Sequence, residues 1–416
     1  MYSAGHADIM KHKKDVGGES MLTLDMVREA QEALRGIARR TPLDRAPKFG
    51  ENVYIKAENL QLTGAFKLRG AYNKIRSLTP EEAARGVIAC SAGNHAQGIA
   101  LSASRLGIKA VICMPAGAPI SKVEATRGYG AEVVLVPGVY DDAAAEAERL
   151  TKEQGYTFAH PFNDPLVIAG QGTIGLEILE QLPDVEQIVV PIGGGGLIGG
   201  IAFAVKQLKP DCRIVGVQAA GAASMYLSRH AGGPTELRSV STIADGIAVK
   251  KPGDLTFALC QQYVDEVVTV SEDEIASAIL ALMEGQKTVA EGAGATPVAA
   301  FMSGKVDTSK KTVCVVSGGN VDVTTLSRII TKGLSKAGRI AEISTKVADK
   351  PGSLLQLLKV VADSGANILS INHAREDQHS DVGACMVSMV LETRDAAHVE
   401  QIRRELTAMG YELEKE

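Results

Sequence analysis

The sequence predicts an α/β protein: two open α/β subdomains sharing one body, followed by a separate ferredoxin-like βαββαβ unit. Three observations predict it. Short apolar runs alternate with stretches of helical spacing along most of the chain, the pattern of a parallel sheet joined by crossover helices. Glycine-rich loops follow several of those runs, at the strand ends where open α/β sheets hold their ligands. After Gly338 the order changes to strand, helix, strand, strand, helix, strand.

Taken in order, residues 1–20 are polar, carry Lys11, Lys13 and Lys14 and lack an apolar core, so they read as a flexible extension or cloning remnant and not as a signal peptide. The main body is expected over 21–335. Between 21 and 39, Leu22, Leu24, Val27, Ala30, Leu34 and Ile37 recur at helical spacing and predict a helix that leads into the turn at Thr41-Pro42. Residues 53–57 form a short strand, and a helix opens near Lys67 and runs through Ile75. Strands at 87–90, 109–113 and 132–136 then alternate with helices at 96–105 and 122–129, giving a small subdomain at about 72–159. The larger subdomain resumes at His160 and adds strands at 188–190, 213–217 and 311–316. The last unit, 339–416, reads as strand 340–347, helix 352–364, strands 367–373 and 383–391, helix 396–409 and a final short strand at 411–414.

Composition sets the outer limits. With 416 residues, 45% hydrophobic and 22% charged, the chain can bury a sizeable core and divide into two or three units. A net charge of −5 on a mixed surface argues against nucleic acid or an anionic membrane as a partner. The six cysteines are far apart, mostly inside apolar runs and without metal-ligand spacing, so they read as reduced core residues of a cytoplasmic protein. The apolar run 188–205 is long enough to suggest a membrane span, but Pro191 and the glycines between Gly193 and Gly200 fit a strand, a turn and a helix instead.

The chemistry centres on Thr63-Gly64-Ala65-Phe66-Lys67-Leu68-Arg69-Gly70. A solvated lysine is protonated at neutral pH and a poor nucleophile. Enclosure beside Phe66 and Leu68, and the Arg69 guanidinium nearby if it faces the site, would favour a neutral amine able to attack an aldehyde; the alternative is a surface lysine at a helix start. Two loops follow at matching places: Ser91-Ala92-Gly93-Asn94-His95 after one apolar run, and Gly193-Gly194-Gly195-Gly196-Leu197 after another. Consecutive backbone amides in the glycine loop, opening a helix, suit an anion; a nucleotide loop or a plain tight turn are the other readings.

Together these motifs resemble the fold type II enzymes dependent on pyridoxal 5′-phosphate, and most closely the threonine dehydratases (threonine ammonia-lyases). The resemblance implies that Lys67 and Ser91 are catalytic, with Lys67 holding the cofactor aldehyde and later taking the substrate α-proton. It implies Phe66, Asn94, Gly193, Gly194, Gly195, Gly196, Leu197 and Ser317 as cofactor contacts: Asn94 at the phenolic oxygen, the glycine loop at the phosphate, Ser317 at the ring nitrogen. Ser91, Gly93, Asn94 and His95 would cradle the substrate carboxylate, and His95 either transfers a proton or only stiffens its turn. Ser317 could alternatively be a simple helix cap.

Two departures stand out. Ala65 occupies a position that is often Ser in the family, and Ala92 lacks the second hydroxyl that related serine racemases use as the opposite-face acid, which argues against racemisation. No divalent metal is expected, because Gly216-Val217-Gln218-Ala219 lacks the carboxylate of racemase-like relatives and Glu291 reads as a supporting group; a monovalent ion stays open. The loop Thr242 to Ala248 resembles the family's substrate-side loop and points to L-threonine, with L-serine as a slower substrate. Serine-selective deamination and an inert, amino-acid-binding regulatory protein are the other readings.

The unit after Gly338, with Asp349-Lys350-Pro351-Gly352-Ser353 and Gly365-Ala366-Asn367, resembles an ACT domain. The resemblance implies either effector sensing, with isoleucine or valine as the effector, or dimerisation alone. A homodimer or homotetramer is the prior for such an enzyme.

Overall fold

The computed structural model describes residues 22–375 and 383–414, so the reading of residues 1–20 lies outside the described residues. The strands are β1 Leu43–Arg45, β2 Val53–Ala57, β3 Val87–Cys90, β4 Ala110–Pro115, β5 Glu132–Val136, β6 Thr157–Phe158, β7 Gln187–Pro191, β8 Arg213–Ala219, β9 Glu266–Val270, β10 Thr312–Val316, β11 Ile340–Ala348, β12 Asn367–Ala374 and β13 Ala384–Glu392.

The larger sheet has six strands in the order β1-β2-β10-β7-β8-β9. All its pairs are parallel except β1 with β2. Strand β10 lies between β2 and β7, with Cys314 opposite Ile55 on one side and Val189 on the other. All five of its residues are buried, which explains an apolar run without alternation: both faces of a parallel sheet are covered by helices. The smaller sheet, β5-β4-β3-β6, is parallel throughout and lies within residues 132–136, 110–115, 87–90 and 157–158.

The helices Pro165–Gln181 and Gly196–Leu208 pack closely because glycines let their backbones meet. A Cβ on Gly200 would stand 2.4 Å from the Ile168 carbonyl oxygen and 2.7 Å from Gly172 N; likewise, one on Gly170 would stand 2.6 Å from the carbonyl oxygen of Arg69, on the helix Lys67–Ile75 that packs against the first of them. Asp164 caps the first of them, its Oδ1 accepting from Leu166 N at 2.8 Å, and Pro165 opens it without losing a needed donor.

Some sequence expectations needed correction. The first helix covers only Leu24–Ala33, because hydrogen-bonded turns replace it from Leu34 and Gly36 adopts φ +72°, although the apolar spacing continues. Strands β6 and β9 were not foreseen: one has two residues, and the other lies at the outer edge of the sheet. The expected strand 411–414 is reduced to one antiparallel bridge between Leu413 and Thr345, supported by Thr345 Oγ1 donating to Glu412 O at 2.8 Å.

By packing, the chain falls into two compact units with the break between Asn320 and Val321, and Ile279–Ala281 grouping with the second. Helix Val323–Lys336, counted by sequence with the main body, therefore groups with the C-terminal unit. In that unit the antiparallel sheet β11-β13-β12 packs Val387, Met389 and Leu391 against Leu357 and Val361 of helix Ser353–Asp363 and Ile402 and Leu406 of helix Ala396–Ala408. All six cysteines are buried and free. No helix among the described residues is long and apolar enough to cross a membrane.

Candidate active site

Lys67 is the first residue of helix Lys67–Ile75, and the chain entering it is pinned to the end of β10. Phe66 N donates to Ser317 O at 3.0 Å, Gly319 N donates to Gly64 O at 2.9 Å, and Ala65 bridges Gly318. Gly64 has φ +71°, and a Cβ there would come within 2.3 Å of Asn320 Oδ1, so only glycine fits the turn beside that strand end. The amine of Lys67 is thereby held in a cavity of about 820 Å³, 5.2 Å from the Phe66 ring centroid. It donates to Pro161 O at 2.8 Å and forms no ion pair among the described residues. Burial lowers its pKa to about 8, against an opposing pull from the Glu291 charge.

Arg69 does not meet the condition under which it would act on this amine. Its guanidinium points away, binding Glu58 Oε1 at 2.8 Å and Glu177 Oε1 at 2.6 Å, while Lys56 binds Glu177 Oε2 at 2.6 Å. Four buried charges thus balance behind the helix. Burial opposes the charge on Arg69, but Glu58 and Glu177 overcome it and hold the group cationic.

The second loop closes β3. Ser91 Oγ accepts from Gly93 N at 3.2 Å, and helix Asn94–Arg105 begins there with its first amides unpaired within the helix. Asn94 Nδ2 donates to Glu291 Oε1 at 2.8 Å, and Asn94 Oδ1 accepts from Asn320 Nδ2 at 2.8 Å. His95 is buried, its Nε2 bonded to Ala159 O at 2.8 Å, which ties this helix start to the chain beyond β6; burial and the Lys67 charge push its pKa down to about 3.

The third loop leaves β7 and opens helix Gly196–Leu208. Gly195 at φ +97° turns the chain, and Thr256 Oγ1 holds the Gly194 carbonyl at 2.6 Å, leaving successive amides at the helix's positive end. Gly194 lies so near Phe162 that a Cβ would stand 2.4 Å from its ring. Ser317, 2% exposed, ends β10 at the same cavity.

Lys67, Phe66, Ser91, Gly93, Asn94, His95, Gly193 through Leu197 and Ser317 all line this one cavity. Sequence reading missed Pro161 and Phe162, and it missed the ion pair at the cavity's lining between Lys122 Nζ and Asp245 Oδ2 at 2.7 Å. Asp245 belongs to the Thr242 to Ala248 loop already singled out, but Pro161, Phe162 and Lys122 have no local signature; only the fold brings them to it.

The cavity therefore offers an enclosed amine with two helix N-termini. Residues 34–318 match the family described as "Pyridoxal-phosphate dependent enzyme", and residues 341–408 match the ACT domain. The chain belongs to the pyridoxal-phosphate dependent enzymes. The enzyme is 52% identical to a protein named L-threonine ammonia-lyase from Thermotoga maritima over 94% of this chain and 99% of that one. It is similar to the processed threonine deaminase isoform 2 of Solanum lycopersicum, 40% identical at a TM-score of 0.71, over 77% of this chain and 98% of that chain. It is similar to maize serine racemase at the same TM-score of 0.71 and 37% identity, over 76% and 98% of the two chains. Equal likeness to enzymes of different reaction means that fold alone does not choose the chemistry.

Pyridoxal 5′-phosphate is the cofactor of this enzyme, and the residues present fit it. An aldehyde needs an amine that no carboxylate holds as a cation, and among the described residues Lys67 has a carbonyl partner and no ion pair; a phosphate dianion needs clustered donors, and the loop of Gly193 through Leu197 supplies backbone amides at a helix start.

Proposed function

We propose that the enzyme is a threonine ammonia-lyase, converting L-threonine to 2-oxobutanoate and ammonia by α,β-elimination of water, with slower action on L-serine. The observation that carries the reading is the 52% identity to a threonine ammonia-lyase across nearly the whole chain, with the complete set of site residues in one cavity.

Bound cofactor supplies the electron sink that stabilises charge left at the substrate α-carbon. Lys67 Nζ, its pKa lowered to about 8, takes the α-proton. The first amides of helix Asn94–Arg105, with Ser91 Oγ, receive the substrate carboxylate. Asn94 is oriented from both sides, by Glu291 and Asn320, so its amide has a fixed direction. Ser317 puts a neutral hydroxyl at the ring-nitrogen position, where a carboxylate would hold a proton. Ala92 also lines the cavity and has no proton to give to an opposite face, which supports elimination over racemisation.

The C-terminal unit is an effector-sensing domain in this reading, with isoleucine inhibiting and valine opposing, and the enzyme serves isoleucine biosynthesis as a cytoplasmic homodimer or homotetramer. Leu369 and Ile371 are exposed on the edge strand β12, a sheet edge that suits pairing between copies. The deciding experiment measures 2-oxo acid release from L-threonine and L-serine, with and without isoleucine, for the intact chain and Lys67→Ala. Faster threonine turnover, abolished in the variant and reduced by isoleucine, is expected. Serine turnover exceeding threonine would replace the substrate, and identical kinetics with isoleucine would remove the sensing role.

A further inference from the structure

We propose that the C-terminal unit carries a binding site for a zinc-class divalent cation, built from Asp349, His373 and Cys385. Candidate ligand atoms of the three lie within 4.8 Å of one another, and His373 Nε2 stands 2.9 Å from Cys385 Sγ. The juxtaposition follows from the sheet. Val347 of β11 pairs with Cys385 of β13, and His373 of β12 pairs with Val387, so Cys385 and the His373 position share one face by two-residue alternation. Asp349 lies two residues beyond Val347, and its amide, donating to Gly383 O at 3.0 Å, keeps it against the start of β13. Three elements therefore converge at one end of the sheet.

The donor set selects the ion. Thiolate, imidazole and carboxylate together suit Zn²⁺ and its borderline neighbours, whereas Mg²⁺ and Ca²⁺ demand oxygen. The thiol lies in the core, with Asp349 and His373 exposed among the described residues, so the soft ligand is inside and the harder ones outside. The three ligands found among the described residues leave a fourth position of a tetrahedral site to water or a further donor. Zinc bond lengths of about 2.0–2.3 Å place tetrahedral ligand atoms roughly 3.5 Å apart, so the histidine and thiol separate by about 0.6 Å on binding. Cys385 gives up its proton, so affinity rises with pH. Arg375 Nε is 3.1 Å from Asp349 Oδ2 and competes for that carboxylate, but its side chain is largely exposed and free to swing into solvent. Occupation would tie Asp349, the start of the segment leading to helix Ser353–Asp363, to two strands of the sheet.

The test uses the full-length holoenzyme, stripped with chelator and titrated with Co²⁺, read as a difference spectrum against the metal-free holoenzyme and by equilibrium dialysis. A thiolate-to-cobalt charge-transfer band that saturates stoichiometrically with the chain, and is bleached by Zn²⁺, is expected. Cys385→Ser should abolish the band. Because that side chain is buried, the exposed His373→Gln serves as the second variant: it should keep the far-ultraviolet circular dichroism of the parent and weaken Co²⁺ binding at least about tenfold. Absence of the band, or a band with unchanged affinity in His373→Gln, overturns the proposal.

Discussion

Two buried lysines on neighbouring elements have opposite fates. Lys56 on β2 is fully enclosed and sits 2.6 Å from the Glu177 carboxylate, inside a balanced set with Glu58 and Arg69. Lys67 is enclosed by its cavity but, among the described residues, its hydrogen-bond partner is a carbonyl oxygen, that of Pro161. Burial lowers both pKa values; for Lys56 the carboxylates of Glu58 and Glu177 push back, whereas the main charge opposing burial at Lys67 is that of Glu291. Glu291 is itself pushed up to about 7 by burial and by the charge of Asp245, so it is only partly ionised near neutrality. Enclosure alone does not make an amine reactive. Withholding a partner carboxylate does.

The contrast is sharpest in Lys67→Ala. Turnover should fall by about 10³-fold or more, with loss of the bound cofactor's visible absorbance and little change in melting temperature. Arg69→Met should do the reverse. It leaves Glu58 and Glu177 with Lys56 as their remaining buried cation, so stability should drop by about 3–5 kcal/mol in denaturant titrations, while any folded enzyme keeps its cofactor spectrum. Loss of activity at unchanged stability would break the distinction between the two regions.

Glu291→Gln probes the link between them. A carboxyl raised in the fold binds its proton where the unfolded chain has released it, so its stabilising contribution is complete below about pH 4.5 and is lost as pH rises through about 7. Relative to the parent, the variant should therefore gain up to about 3 kcal/mol of stability between pH 5 and pH 8, read from paired unfolding curves. A pH-independent difference would contradict the assigned shift. The smallest effect belongs to Lys122→Ala, which removes the pair with the well-exposed Asp245. An ion pair of this kind is worth at most about 1 kcal/mol, so KM for threonine should rise no more than about fivefold, and less at high salt.

The sequence made these regions legible to different degrees. The lysine stretch, the Ser91 to His95 loop and the glycine loop can be read locally because each is a short backbone device: a pinned turn, a helix start, a strand-to-helix turn with φ +97° at Gly195. Arg69 could not be read this way. Which side of a helix a guanidinium takes depends on Glu58 and Glu177, and the latter lies far along the chain on helix Pro165–Gln181. The same holds for Pro161 beside the Lys67 amine and for Asp349, His373 and Cys385, whose spacing follows no metal motif. Alternation gave the parallel sheets, but the insertion of β10 between β2 and β7 is a property of the whole topology. The first helix shows the opposite failure: apolar spacing continued past Ala33 while Gly36 had already turned the backbone.

The position of β10 also bears on biogenesis. The turn that presents Lys67 is held by Ser317, Gly318 and Gly319, and the orientation of Asn94 depends on Asn320. A nascent chain emerging from the ribosome thus carries its nucleophile long before it has the scaffold that holds it. Cofactor capture is therefore expected only once the first unit is complete, and a chain terminated before Thr312 is expected to be purified without the cofactor's visible absorbance.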